Sequence, residues 1–145
     1  MDLEELRTFL AHPRHDGWRV PGLEAVRADH MSIAVRLQVG ANLLNYGRTL
    51  HGGAAATLVD SVGSIAIVSA DPAGRFGVSV DLNITWLAPA PEGEWIQVEA
   101  TVLKTGRNLA FVAVDIRREA DHVLVAQGRM TKSLGSPTAA GVVAR

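Results

Sequence analysis

His51-Gly52-Gly53-Ala54-Ala55-Ala56-Thr57-Leu58-Val59-Asp60-Ser61-Val62-Gly63-Ser64-Ile65-Ala66-Ile67-Val68-Ser69-Ala70 is the stretch that decides how this chain folds. Alanine-rich sequence of this length favours helix, and Asp71-Pro72-Ala73-Gly74 supplies the stop. Almost every surface of that helix is apolar or small, so it is expected to be buried on most sides. Asp60 is the only formally charged residue between Arg48 and Asp71. A carboxylate on such a helix is costly unless it is paired, protonated or put to use. A helix-surface Asp at the edge of the core is the plain alternative. A catalytic acid or base is the reading that the rest of the chain favours.

Strands flank this helix on both sides. Met31, Ile33, Val35, Leu37 and Val39 alternate with Ser32, Ala34, Arg36 and Gln38, the period of a half-buried strand. A shorter strand is expected over Leu23–Arg27, with a turn near Ala28-Asp29-His30. Leu3, Leu6, Phe9 and Leu10 fall at helical spacing, which predicts a short amphipathic helix over 2–12. Residues 40–53 form a Gly- and Asn-rich loop. After the stop, Val78, Val80, Leu82, Ile84 and Trp86 alternate with Ser79, Asp81, Asn83 and Thr85. Ile96, Val98, Ala100 and Val102 repeat the pattern, and further strands are predicted over 109–118 and 122–132, the latter two each preceded by a tight turn. Short reversals imply antiparallel pairing. One long apolar helix on one curved antiparallel sheet is an α+β layer solution, the hotdog arrangement of a sheet wrapped around a central helix.

The 145 residues fit a single domain, read as 1–135 followed by a disordered tail over 136–145. With 48% hydrophobic and 20% charged residues the composition is that of an ordinary globular chain. A formal net charge of −1 gives no electrostatic case for nucleic acid. The absence of cysteine excludes disulfides, thiolate catalysis and Cys-based zinc sites. The acidic start, Met1-Asp2-Leu3-Glu4-Glu5, has neither a signal-peptide nor a transit pattern, and the polar interruptions at Thr57, Asp60, Ser61 and Ser64 argue for a core helix over a membrane span. A cytoplasmic location is the expectation, with mitochondrial association open for a eukaryotic source.

His51-Gly52-Gly53 opens the long helix, where the first backbone N–H groups have no internal partner and lie at the positive dipole end. Glycine lets a carbonyl approach them, which makes an oxyanion site; the plain alternative is a tight turn. The Asn45 amide, six residues earlier, could bind the same carbonyl or hold a water. Eight residues separate Gly52 from Asp60. That is about 12 Å of helix at 1.5 Å per residue. A base must reach its proton directly or through one water, so Gly52 and Asp60 of one chain are too far apart to share a substrate. A two-fold dimer with antiparallel helices would bring Asp60 of one copy to Gly52 of the other.

Asn45-x(5)-His51-Gly52-Gly53 followed by Asp60 resembles the PaaI-type hotdog acyl-CoA thioesterases. Leu50–Gly53, Ala56–Asp60, Gly77–Thr85, Leu109-Ala110-Phe111 and Ala126-Gln127-Gly128-Arg129 are similar to the thioesterase superfamily member 2 branch (acyl-CoA thioesterase 13 type), over residues 30–135. The resemblance implies hydrolysis of acyl-CoA to CoA and free acid, without metal or organic cofactor, by a homodimer that pairs into a homotetramer. Asp60 would be general base or nucleophile, and Ser79 would position the attacking water. Asn45 and Gly52 of the facing copy would polarise the thioester carbonyl, with His51 supporting the loop. CoA would contact Ser79, Asp81, Trp86, Ser133 and the turn Lys104-Thr105-Gly106-Arg107-Asn108-Leu109. Trp86 and Ser133 depart from the family's Tyr and His. A solvated hairpin turn is the plain alternative for Lys104 and Arg107.

The acyl group would lie near Leu43, Leu44, Leu58 and Val62, in a tunnel between copies. His12-Pro13-Arg14-His15-Asp16 is read as a polar helix end, not a metal site. His30 and His122 fall in solvated turns, and Trp18 and Trp95 are packing anchors. The rival functions are a hotdog hydratase or dehydratase, and a non-catalytic acyl-CoA sensor or binding protein.

Overall fold

The computed structural model describes residues 1–12 and 20–135. Its elements are α1 (Leu3–Ala11), β1 (Glu24–Ala28), β2 (Ser32–Gln38), a 3-10 turn (Ala41–Leu43), α2 (Gly52–Ala70), β3 (Val78–Trp86), β4 (Trp95–Thr105), β5 (Leu109–Arg118) and β6 (Leu124–Ser133). Trp18, residues 13–16 of the His12–Asp16 segment and the tail over 136–145 lie outside the described residues.

α2 ends where its sequence says and takes in Gly52 and Gly53 from the loop assigned to 40–53. His51 is the N-cap, and its side chain accepts the Gly53 N–H; Asp71 is the C-cap. Ten of its residues are buried, Leu58, Val59, Val62, Ile65, Ala66 and Ile67 completely. α2 is long and apolar enough to cross a membrane by length and composition, and its apolar faces are used here to pack on the sheet. α1 starts on a capping box, with the Asp2 side chain accepting the Glu5 N–H and the Glu5 side chain accepting the Asp2 N–H.

The six strands form one antiparallel sheet in the order β1-β2-β4-β5-β6-β3. The hotdog arrangement expected from the sequence is present, with one correction. β3 and β4 are not hairpin neighbours. The segment between them, with Pro89, Pro91 and Gly93, carries the chain from one edge of the sheet across to β2. Alternation within each strand reports a half-buried face and not the neighbour, so a meander and this crossover read alike.

β4 and β5 provide the inner wall, with Ile96, Val98, Ala100, Val112, Val114 and Ile116 buried against α2. Gly128 on β6 brings the helix closest: a Cβ built there would lie 2.5 Å from Val59 Cγ1. β3 is different. Although its sequence alternates, Val78, Val80, Leu82 and Trp86 are 70%, 58%, 41% and 56% exposed. Among the described residues it has one hydrogen-bonded neighbour, β6, and no strand on its other edge.

One further boundary and one expected surface shift. β4 runs through a bulge between Val102 and Lys104 to Thr105, so Lys104 and Thr105 are strand residues and the turn is Gly106-Arg107-Asn108. Leu58 and Val62 are fully buried in the protomer's own core and Leu43 nearly so. They cannot wall a tunnel between copies. α2 leaves Gly53, Ala56, Thr57, Asp60 and Ser61 at least partly open instead, a stripe at helical spacing.

Candidate active site

Ser79 and Asp60 meet because β3 is irregular. Its register on β6 slips between Ser79, opposite Lys132, and Asp81, opposite Thr131. A bulge of this kind places two residues against one and re-aims a side chain. Strict alternation would group Ser79 with Asp81, Asn83 and Thr85. The bulge turns it to the helix side instead, and its Oγ donates to Asp60 Oδ1 at 2.6 Å. An ionised carboxylate only accepts, so the serine hydrogen is spent there and its lone pairs remain for a water. Ser79 Oγ also lies 3.5 Å from Met130 Sδ. Asp60 is half-buried, the one charge on an otherwise apolar helix.

The oxyanion candidate lies at the other end of α2. His51 does more than support the loop. Its Nδ1 takes the Gly53 N–H at 2.9 Å, and its own N–H donates to the Leu43 carbonyl at 2.7 Å. The Gly52 N–H is then left without a protein partner among the described residues. Trp86 covers this end: its Nε1 is 3.3 Å from where a Gly52 Cβ would stand, so only glycine leaves the amide approachable beneath the indole.

Asn45 is not aimed freely at that amide. Its Oδ1 accepts the Thr49 N–H at 3.1 Å and its Nδ2 donates to Thr49 Oγ1 at 2.9 Å. The side chain thus closes the 45–49 loop, and one Nδ2 hydrogen remains for a ligand.

Of the residues assigned to nucleotide contact, most assemble. Ser133 pairs with Val78 on one side and Leu109 on the other, and the Asn108 carbonyl accepts the Leu134 N–H. The β4–β5 turn, the end of β6 and the start of β3 therefore form one patch, near Asp60. Asp81 is exposed on the sheet face away from α2. Trp86 does not join them, since it lies seven residues along β3 from Ser79. That is about 23 Å at 3.3 Å per residue. One protomer holds two separate candidate half-sites: Asp60, Ser79 and the turn at one end, Gly52, Asn45 and Trp86 at the other.

An ion pair that the sequence did not announce braces the turn. Arg75 binds Asp71 through its backbone N–H, Nε and Nη2, and its Nη1 donates to the Arg107 carbonyl at 2.9 Å. Both side chains are buried. Hydrogen bonding from Arg75 holds the Asp71 carboxyl below its ordinary range against the opposing effect of burial, and Asp71 in turn raises the guanidinium. The signal was Asp71 and Arg75 four apart across Pro72 and Gly74, which can be recognised only once the turn geometry is known.

A cavity of about 620 Å³ lies between α1 and β1, lined by Leu10, Leu23, Val26, Arg36 and their neighbours. It shares no residue with either half-site. Among the described residues no cluster of three His, Asp or Glu could hold a metal ion. His12 is the α1 C-cap, His30 and His122 are exposed, and Trp95 stacks under Arg36, whose guanidinium carbon is 4.8 Å from the ring centroid.

The sequence profile of the thioesterase superfamily matches residues 47–125, a span that contains Gly52, Asp60, Ser79, Trp86 and the β4–β5 turn but not Asn45. The chain belongs to this family. It is therefore a thioester hydrolase by descent, and further likenesses run along most of its length. It is 40% identical over 126 residues to mouse acyl-coenzyme A thioesterase 13, covering 82% of this chain and 89% of that protein. The human protein of the same name is 51% identical over 88 residues, which cover 61% of this chain and 62% of the relative. The crystal structure of zebrafish thioesterase superfamily member 2 superposes with a TM-score of 0.88 at 38% identity, covering 93% of this chain and 99% of that one. These matches accord with the hotdog fold and the thioesterase branch inferred from the motifs.

Proposed function

We propose that this thioesterase hydrolyses acyl-CoA to free acid and CoA, with each active site built from two copies of the chain. The observation that carries this reading is the Ser79–Asp60 hydrogen bond of 2.6 Å on the open side of an otherwise apolar helix. The names of the mouse and human relatives supply the substrate class. If two β3 strands pair antiparallel about a two-fold axis, the Trp86 end of one lies beside the Ser79 end of the other. That places Gly52 and Asn45 of one copy opposite Asp60 of its partner, and it covers the exposed side chains of β3.

In this scheme a water donates one hydrogen to Asp60 and the other to a lone pair of Ser79 Oγ. The carboxylate takes its proton as the oxygen attacks the thioester carbonyl. Charge on the carbonyl oxygen is met by the Gly52 N–H and the remaining Asn45 Nδ2–H. The C–S bond then breaks, and the CoA sulfur leaves as the thiol with the proton that Asp60 took from the water. A thioester is already activated, so one base and one pair of donors suffice for the step. Lys104, Arg107 and the adjoining backbone at the turn would hold the CoA phosphates.

The test is free-CoA release from short, long and aryl acyl-CoAs, with wild type beside Asp60→Asn. Loss of a positioned base should lower turnover by about 10²–10⁴-fold with the fold intact. Binding without release for every acyl-CoA would replace the hydrolase with an acyl-CoA carrier or sensor. Single turnover in ¹⁸O-water, with the label sought in Asp60, separates base from nucleophile.

A further inference from the structure

Arg75 is buried and distributes its donors over three parts of the chain. Its backbone N–H, Nε and Nη2 bind the Asp71 carboxylate, and its Nη1 donates to the Arg107 carbonyl at 2.9 Å and to the Gly135 carbonyl at 3.4 Å. The segment that carries it is itself fixed. The Gly74 N–H donates to the Asp71 carbonyl, and a Cβ built at Gly77 would lie 2.5 Å from the Ser133 carbonyl oxygen. The β4–β5 turn is held in turn by its carbonyls. That of Arg107 accepts from Arg75, that of Asn108 accepts the Leu134 N–H at 2.8 Å, and that of Leu109 accepts the Gly106 N–H at 2.8 Å. The Arg107 and Asn108 N–H groups are left without a protein partner among the described residues, and both residues are exposed. The Arg107 guanidinium also has no ion pair among the described residues. Successive free amides in a turn, with a cation beside them, suit an anion.

Ending α2 does not require this arrangement, since the Asp71 N–H already caps the Ile67 carbonyl. A buried ion pair must offset its own desolvation and is weak evidence for stability alone. What this one adds is a contact to a turn 32 residues further on. We propose that Arg75 is a positioning residue for the nucleotide end of the substrate. By holding the Arg107 carbonyl inward, it presents the Arg107 and Asn108 amides and the Arg107 guanidinium to a CoA phosphate. The inference deepens the reading of the site given above and rests on it for the role of the turn. Arg75 then matters for thioesters that carry the nucleotide, and not for the step at Asp60.

Arg75→Lys separates positioning from stability. A lysine ammonium keeps the charge opposite Asp71 but lacks the planar fork that binds Asp71 and the Arg107 carbonyl at once. CoA binding is measured by calorimetry. Kinetics are measured with an acyl-CoA beside the matching acyl-pantetheine, which lacks the nucleotide. In Arg75→Lys the affinity for CoA should fall about tenfold, the worth of one hydrogen bond to a charged group. KM for acyl-CoA should rise by the same factor with kcat held, and acyl-pantetheine should be turned over as in wild type. Arg75→Met, which removes both contacts, should show the same selective loss or a larger one, and Arg75→Lys stands alone if it does not fold. Arg107→Ala should weaken CoA binding in wild type and add little in Arg75→Lys, because the two residues act through one turn. A merely structural arginine would instead lower turnover of both substrates alike. That result, or an unchanged CoA affinity in the folded variants, overturns the inference. Calorimetry needs no turnover, so it decides the role of Arg75 even if every acyl-CoA proves inert, the result that would instead sink the hydrolase reading.

Discussion

β3 and β4 are both long strands with apolar residues at every second position, and the protomer treats them in opposite ways. On β4, Ile96, Val98 and Ala100 are fully buried; on β3, Val78, Val80 and Trp86 are more than half exposed. β4 has a strand on either side and α2 across its inner face, whereas β3 has β6 alone and few contacts with the helix. Alternation states which side of a strand needs cover, not what covers it. An exposed apolar edge with unpaired backbone groups invites another strand. The proposed dimer would supply that cover and bring the two half-sites together. Leu82→Lys tests it with the largest expected effect. A charge at the centre of β3 should leave the protomer folded by circular dichroism, yield monomer in sedimentation, and lower turnover by 10²-fold or more, about the loss of one oxyanion donor. A monomeric variant with full turnover would break the shared site.

The well-packed region can be probed through Arg75. Removing one partner of a buried ion pair costs about 3–5 kcal/mol. Arg75→Ala should therefore lower unfolding free energy in urea by that amount and loosen the turn that carries Arg107. The pH dependence has a definite sign. The folded Asp71 carboxyl titrates below its ordinary 3.8, so its stabilisation is present above that value and is lost as pH falls through the folded pKa. The gap between wild type and Arg75→Ala should be full at neutral pH and close below pH 3.8. A gap independent of pH would remove the ion pair as its cause.

What was legible follows the same division. The bounds of α2 were written in Gly52-Gly53 and in Asp71-Pro72, and those of β5 in the turns beside Leu109 and Arg118, because local propensity and packing agree there. Asp60 stood out because a charge on an apolar helix is conspicuous. The contact of Ser79 with Asp60 was not legible from periodicity, which placed Ser79 on the wrong face. Only the resemblance joined the two, and the bulge supplies the physical reason. The place of β3 at the sheet edge, the loop-bound amide of Asn45 and the reach of Arg75 to the Arg107 carbonyl depend on pairings between residues far apart in sequence. No single-strand pattern encodes them.

The smallest expected effect separates what fixes the helix from what leaves it open. α2 touches the sheet most closely at Gly128, where an added Cβ would meet Val59 Cγ1 at 2.5 Å and Val59 Cγ2 at 3.0 Å. Val59 immediately precedes Asp60, so β6 sets the height of the turn that carries Asp60 while β3 leaves its other side open. Overpacking of this kind costs about 1–3 kcal/mol. Gly128→Ala should destabilise by that amount, and Val59→Ala in the same chain should return part of it, so that the double variant is less destabilised than the sum of the two single ones. Turnover at saturating substrate should fall in Gly128→Ala and recover in the pair, because the displaced helix carries Asp60 with it. Strict additivity of the two substitutions would mean that β6 does not hold α2 at this point, and the distinction between the fixed and the open side of the helix would lose its basis.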